Sequence, residues 1–290
     1  MTLSVLIPTF NYNARALVVS MLELAKAEGI DADVVVGDDA STAETAWMDE
    51  VERELGVRVV HSAHNLGRAR ICNLIADEST GEWLLIVDAD AAVPDDFSLK
   101  KYLDAGAAAP VVCGGLYHPD VNPNPEATLR YKYERNADRH RSAEIRNRHP
   151  HRKLSTFNLL VRRDVFMNTR FDERCTEYGY EDALFGVQLG YEGIPIMHID
   201  NPLVHMGLDT NQEFLAKTET AMCTLQRIAD LMPHDIGVMG TVHKLQQWHL
   251  TGAVRAFYKL FRKPMRSNLL SHHPSLFIFK LYKLGYFLSL

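Results

Sequence analysis

An α/β fold with a doubly wound, mainly parallel central sheet is predicted for this 290-residue chain from three observations. Short apolar runs alternate with helix-period segments through the first half. Several runs carry no polar interruption, as expected of strands covered on both faces. Acidic residues recur just after the runs, at the carboxyl ends where ligands of such sheets bind. Strands are predicted at residues 3–8, 33–37, 57–61, 83–87 and 110–116, with helices at 14–28, 43–55, 68–77 and 96–105 between them. A Pro/Asn loop then interrupts the rhythm at 118–125. Beyond it, nine basic residues and three acids lie between Arg130 and Lys153, a stretch read either as a lid on the acceptor side or as a solvated excursion. Strands return at 157–161 and 194–199 around a helix at 181–191. Helices at 211–231, 241–261 and 275–288 follow. The organisation predicted is one domain over residues 1–207 and a helical extension over 208–290.

A 47% hydrophobic content supports a full core. The four cysteines, Cys72, Cys113, Cys175 and Cys223, form no CxxC pair and sit in or beside apolar stretches, so reduced thiols are expected. No leader and no membrane-spanning run is read from the sequence, and the expected location is cytoplasmic. The net charge of −6 is unevenly spread: residues 236–290 hold eight cations and no acid, which leaves −14 on the rest. Such asymmetry points to an anionic surface as a partner of the C-terminal segment; nucleic acid is not expected.

Four strand or helix ends carry the chemistry. Trp83–Val87 runs into Asp88-Ala89-Asp90, two carboxylates spaced i, i+2 on one face of an extended chain. Acids so placed suit Mg²⁺ or Mn²⁺ bridging a diphosphate, although capping of the next helix explains them as well. Val34–Gly37 ends in Asp38-Asp39, where a carboxylate can accept a hydrogen bond from a base or ribose. Asn65-Leu66-Gly67-Arg68 opens a helix whose N-terminus, with Arg68 or Arg70, suits phosphate. Gly179-Tyr180-Glu181-Asp182 places two acids at another helix start, where one can act as a general base or simply favour the helix dipole. His61, His64 and, taken alone, His205 read as structural.

Together with Ile7-Pro8-Thr9-Phe10-Asn11, these segments resemble family 2 glycosyltransferases in order and spacing, over about residues 3–207. The resemblance is to the bacterial polysaccharide-building branch that includes chondroitin-polymerase-like domains. It implies a GT-A fold and an inverting, metal-dependent transfer of sugar from a nucleotide-sugar donor, commonly UDP-linked. The acceptor implied is a saccharide or a lipid-linked saccharide in cell-surface polysaccharide synthesis. Residue by residue, it implies that Pro8, Thr9 and Asn11 line the nucleotide and that Asp39 faces the base. Asn65, Gly67, Arg68, Asp88 and Ala89 complete the donor site, Asp88 touching ribose or the metal. Asp90 and His205 would hold Mn²⁺ or Mg²⁺. Asp182 would be the catalytic base, and Glu181 would orient a sugar. Two segments depart from the family pattern: Thr156-Phe157-Asn158 stands where Gly-Gly-Asn is common, and Tyr180 replaces a second glycine.

A sugar-phosphate nucleotidyltransferase would share the acidic strand ends but should carry a Gly-rich loop after the first strand; residues 9–15 contain no glycine. No GxGxxG is present there, which argues against a nicotinamide dehydrogenase. A non-catalytic nucleotide-sugar-binding module is the remaining alternative. The C-terminal helix at 275–288, with Arg255, Lys259, Arg262, Lys263 and Arg266 before it, is read as a peripheral anchor on the inner face of a bacterial cytoplasmic membrane, or as a helix packed on the rest of the chain.

Overall fold

The computed structural model describes residues 2–234 and 237–290. Two compact units make up the chain: Met1–His118 with Asp138–Thr176 and Glu181–Gly207, and Pro119–Ala137 with Glu177–Tyr180 and Leu208–Leu290.

The first unit is built on β1 (Leu3–Thr9), β2 (Ala32–Asp38), β3 (Arg58–His61), β4 (Trp83–Val87), β5 (Ala91–Ala92), β6 (Val111–Cys113), β7 (Leu116–Tyr117), β8 (Asn158–Arg162), β9 (Ile196–His198) and β10 (Leu203–His205). Seven strands form one sheet in the order β3-β2-β1-β4-β8-β6-β9. All neighbours are parallel except β8, which runs antiparallel to both β4 and β6. The sheet is thus mainly parallel, as expected. Every residue of β1 and β4 is buried, which explains the unbroken apolar sequence of β4 and the nearly apolar one of β1, interrupted only by Ser4 and Thr9. A small second sheet, β5-β10-β7, lies where the acidic end of β4 turns back.

Helices α1 (Arg15–Glu28), α2 (Ala46–Leu55), α3 (Arg68–Asp77) and α4 (Leu99–Gly106) connect the early strands. The buried faces of α1, α2 and α4, such as Leu17, Val18 and Met21 of α1, join the strands in one core, while α3 buries Ile71, Cys72 and Ile75. The strand expected at 110–116 is two strands instead, because Gly114-Gly115 intervene with Gly115 at φ 90°.

The basic stretch 130–153 is structured. It contains the end of α5 (Thr128–Asp138), then α6 (Ala143–Asn147) and a 3₁₀ turn at His151–Lys153. Arg146 is buried there and donates to the carbonyl oxygens of Cys113, Gly114 and Ile199. At this point the stretch is part of the fold rather than a solvated excursion. α7 (Arg163–Thr169) and α8 (Glu181–Tyr191) complete the first unit.

In the second unit, α5 meets α9 (Asn211–Arg227), α10 (Gly237–Gln247), α11 (Thr251–Leu269) and α12 (Leu276–Ser289). Leu129, Phe214, Leu215, Tyr258, Phe279 and Tyr282 form its core. Thr210 and Glu213 start α9 with a reciprocal capping box. The single helix expected at 241–261 is two helices, broken where His249 adopts φ 55° and Leu250 N–H closes onto the Leu245 carbonyl.

The expected membrane role of the helix at 275–288 also needs correction. Phe279, Tyr282 and Leu288 are buried, Tyr282 stacks edge-on against Tyr258, and Lys283 lies over the rings of Tyr133 and Phe279. This helix is a core element of its unit. Its buried positions, Phe279, Tyr282, Gly285 and Leu288, recur every three residues, while Phe277 on another side is exposed. Among the described residues no helix is long and apolar enough to cross a membrane.

Candidate active site

The ends of β1 and β2 are bound to each other by polar side chains. Thr9 is buried with Pro8 and donates its hydroxyl to the Tyr12 carbonyl at 2.9 Å. Asn11, at φ 50°, accepts from the Thr42 and Ala43 N–H groups through Oδ1, at 2.8 and 3.0 Å. Its side chain therefore holds the loop after β2. Asp39 is buried, and its two carboxylate oxygens accept the Leu66 and Gly67 N–H groups at 2.6 and 2.9 Å. Asn65 Nδ2 donates to the Asp39 carbonyl at 3.4 Å. Asp38 meets His61 Nδ1 at 3.0 Å.

The end of β4 is wired differently. Arg68, at the first turn of α3, makes a bifurcated ion pair with Asp88 Oδ1 and donates to the Thr156 carbonyl at 3.1 Å. Burial pushes the Asp88 carboxyl up against the opposing pull of Arg68. The remaining terminal nitrogen of Arg68 is buried with no hydrogen-bond partner among the described residues, a polar group left over by the fold. Ala89 sits in a turn closed by the Ala91 N–H bond to the Asp88 carbonyl. That turn leads into β5, which pairs antiparallel with β10 in the register His205↔Ala91. The pairing brings Asp90 Oδ2 to 3.0 Å from His205 Nε2 across 115 residues of sequence. A Cβ on Gly207 would stand 2.0 Å from the same Asp90 oxygen, so only glycine leaves room for this carboxylate.

Sequence reasoning missed what stands behind His205. His118 Nε2 lies 2.9 Å from His205 Nδ1, and His118 Nδ1 lies 3.1 Å from Asp138 Oδ1. His118 Nδ1 is thus set between Asp138 and the Arg141 guanidinium, whose nearer nitrogen is 3.3 Å away. Arg141 donates to the same Asp138 oxygen at 2.7 Å. His118 thereby backs the His205 ring, whose Nε2 edge is turned to Asp90. Phe157 packs edge-on against the His205 ring at 5.0 Å between centroids. Nothing at the sequence level links a histidine after a two-residue strand to an aspartate 20 residues on. Tyr12 was also missed: burial, with the Asp90 charge beside it, raises its phenol.

Glu181 and Asp182 start α8. Glu181 is buried, and Asp182 accepts the Ala183 N–H at 2.7 Å. Burial and the neighbouring Glu181 carboxylate push Asp182 up to about 7. Arg68 and Asp88 act on Asp182 too, so the α8 acids share one electrostatic cluster with the end of β4. The first unit thus brings together Asp39, Gly67, Arg68, Asp88, Asp90, His205, Glu181 and Asp182.

The sequence matches the family described as Glycosyl transferase family 2 over residues 4–169, more than half of the chain. The chain belongs to glycosyl transferase family 2. No curated protein matches it significantly. Among solved structures it is similar to S. aureus TarS, with TM-score 0.53 and 21% identity over 79% of this chain. That match takes in 43% of TarS, so this chain spans less than half of that protein. It is also similar to the mannosyltransferase PcManGT from Pyrobaculum calidifontis in complex with GDP-Man and Mn²⁺. There the TM-score is 0.53 and the identity 17%, covering 93% of this chain and 85% of that one. At these identities the likeness establishes the fold, which is that of GT-A glycosyltransferases.

Within this family 2 chain the two departures acquire physical readings. Asn158 is consumed by the fold: it accepts from the Tyr102 hydroxyl at 2.6 Å and donates to the Gly115 and Asn201 carbonyls. Phe157, in place of glycine, supports His205. Tyr180 adopts φ 67°, which accounts for glycine being favoured at this position.

Asp90 and His205 offer one oxygen and one nitrogen donor, a set compatible with Mn²⁺ or Mg²⁺. Among the described residues no group of three or more such side chains occurs. The protein would thus supply two ligands and leave the other positions to phosphate and water, in keeping with how such ions are held beside substrate phosphates. The residues fit the ion on these terms.

Proposed function

We propose that the chain transfers a sugar from a nucleotide diphosphate sugar, UDP-linked in the first instance, to a saccharide or lipid-linked saccharide acceptor, with inversion at the anomeric carbon. The observation that carries this reading is the contact between Asp90 and His205, made by a strand pairing whose other effect is to close the end of β4. Asp182 is the general base. Its carboxyl, pushed up to about 7, is matched to taking the proton from an acceptor hydroxyl near neutral pH. The acceptor oxygen then attacks from the face opposite the diphosphate. Asp90 and His205 would hold Mn²⁺ or Mg²⁺, which when bound offsets the charge developing on the departing diphosphate. Asp88 could contribute to that ion only by loosening its pair with Arg68, so ribose is its better-supported partner.

Asp39 keeps its second lone pairs for the base, its backbone bonds fixing the direction in which they point. Pro8, Thr9 and Asn11 border the same strand ends and would line the nucleotide. Asn65 and Gly67 shape the start of α3, whose next N–H groups suit phosphate. Glu181 would orient a sugar.

The test is incubation with UDP- and GDP-sugars with Mn²⁺ or with EDTA. GDP-sugars belong in the panel because PcManGT was solved with GDP-Man. Nucleoside diphosphate release that needs metal, and a β-linked product from an α-linked donor, is expected. Pyrophosphate release would make the chain a nucleotidyltransferase, and binding without turnover would make it a binding module.

A further inference from the structure

The basic C-terminal unit leaves one helix face uncovered, and that face is on α11 rather than α12. Only Tyr258, Met265 and Leu269 of α11 are buried. Phe257, Leu260 and Phe261 are 46, 74 and 41% exposed. Their i, i+3, i+4 spacing puts them on one face. The rings of Phe257 and Phe261 lie against each other, with centroids 4.6 Å apart. Trp248, 64% exposed in the turn before α11, adds a third large aromatic. Single exposed apolar side chains need no explanation, but three large ones along one helix face, with a tryptophan just before it, do.

Charge identifies what covers the face. Lys259, Arg262 and Lys263 are exposed on α11 and make no ion pair among the described residues. Arg255 and Arg266, by contrast, are spent inside the unit, on the Leu288 carbonyl and on Glu219. Lys263 stands one turn beyond both Leu260 and Lys259, at i+3 and i+4, so Lys259 and Lys263 border the solvent side that carries Phe257 and Leu260, while Arg262 lies on the other flank of the helix. A second copy seated there in a twofold arrangement would set these cations against their own images. An anionic lipid surface meets both halves of the pattern. Aromatics settle at the depth of the headgroups, and lysines keep their stems in the apolar layer with their charges on phosphate.

We infer that α11, with Trp248, is a docking face for anionic lipid bilayers. Binding is peripheral, since no described helix is long and apolar enough to span. Vesicle binding and sugar transfer are separate readouts, so either can fail alone.

Tryptophan fluorescence of the full chain provides the test, because Trp47 and Trp83 are buried at 3 and 6% exposure and Trp248 alone faces solvent. With phosphatidylglycerol-rich vesicles the emission should shift to the blue, and the protein should float with them. Phosphatidylcholine vesicles should give neither effect. Trp248→Phe should abolish the shift and leave flotation largely in place. Replacing Lys259 and Lys263 together by Gln should weaken vesicle partitioning roughly 30-fold, since each cation near such a surface is worth about 1 kcal/mol. Leu260→Ser with Phe261→Ser should weaken it further at high salt, where charge is screened. All four side chains are exposed, so the variants should keep the melting temperature of the parent. Absence of binding to anionic vesicles would overturn the inference, as would binding indifferent to both substitution pairs. So would dimers in light scattering that dissociate on Leu260→Ser, which would make the face a self-interface.

Discussion

Two strand ends that look alike in sequence do different work. Both β2 and β4 are buried runs that end in acids. Asp39 gives its two oxygens to the backbone N–H groups of Leu66 and Gly67, whereas Asp90 meets a side chain, His205. Backbone donors cannot leave without unmaking the turn, so the Asp39 carboxylate is fixed in place and can meet a ligand only with the lone pairs those bonds leave over. A histidine edge can exchange a proton for a cation or rotate slightly, so Asp90 remains available to a ligand. An acid after a strand is therefore ambiguous until its partner is known, and the partner lies far away in sequence.

The largest expected effect asks to which class the third acid pair belongs. Asp182→Asn should lower kcat by about 10²–10⁴-fold while donor binding, measured by calorimetry, stays near that of the parent. Loss of binding and turnover together would assign Asp182 to the donor site. The parent rate should rise with pH and level off above about 7, because the base must be ionised. Stability should move the other way. A carboxyl raised in the folded state binds its proton more tightly there, so its contribution is complete below the ordinary carboxylate range and lost as pH rises through about 7. Asp182→Asn should therefore melt above the parent at pH 8, with a smaller difference at pH 5. Equal differences at both pH values would show that the raised pKa is wrong.

The next effect breaks the comparison directly. Asp90→Asn should cost about 10²–10³-fold in kcat with little change in Tm, in the range seen when one electrostatic stabiliser of a transition state is removed. Asp39→Asn should instead lower Tm, with its functional loss in donor affinity rather than in kcat. An amide nitrogen facing the Leu66 or Gly67 N–H leaves a buried donor unpaired, a loss of about 1.5–3 kcal/mol, or several degrees of Tm. If both substitutions lower Tm equally, the distinction between the two strand ends is not real.

Legibility followed the same division. β4, α3 and α8 have the bounds predicted for them, because an unbroken apolar run, Gly67 and the Glu181-Asp182 pair mark their ends locally. β5 and β10 were not predicted, since strands of two and three residues are too short to show a period. Those two strands bring Asp90 to His205. The pairing was foreseen only through the family resemblance, not from the residues themselves. His118 and Asp138 had no such guide. The acids that complete the site were legible one by one, and their partners were not.

A smaller effect sharpens the account of why Asp90 is available. If His118, braced by Asp138, holds His205 with its Nε2 edge toward Asp90, then His118→Ala should weaken Mn²⁺ binding by about 10–100-fold. Electron paramagnetic resonance of free Mn²⁺ measures this without turnover. Nitrogen-15 spectra of the metal-free protein should also show a changed tautomer distribution at His205. An unchanged Mn²⁺ affinity would reduce His118 to a packing residue.

The smallest effect concerns the turn that leads into the third acid pair. Gly179 and Tyr180 have φ 105° and 67°, so a side chain stands at a position whose backbone favours glycine. Tyr180→Gly and Tyr180→Ala remove the same ring and differ only by a Cβ. At an ordinary loop position alanine would be the more stable, because glycine has more freedom to lose on folding. Here the left-handed backbone penalises any Cβ by about 1–2 kcal/mol, which exceeds that entropic advantage of about 0.4–1 kcal/mol. Tyr180→Gly should therefore melt above Tyr180→Ala by a degree or more. The reverse order would mean that the turn is not left-handed at Tyr180. In that case the acids of α8, like Asp90, would owe their direction to side-chain partners and not, like Asp39, to the backbone.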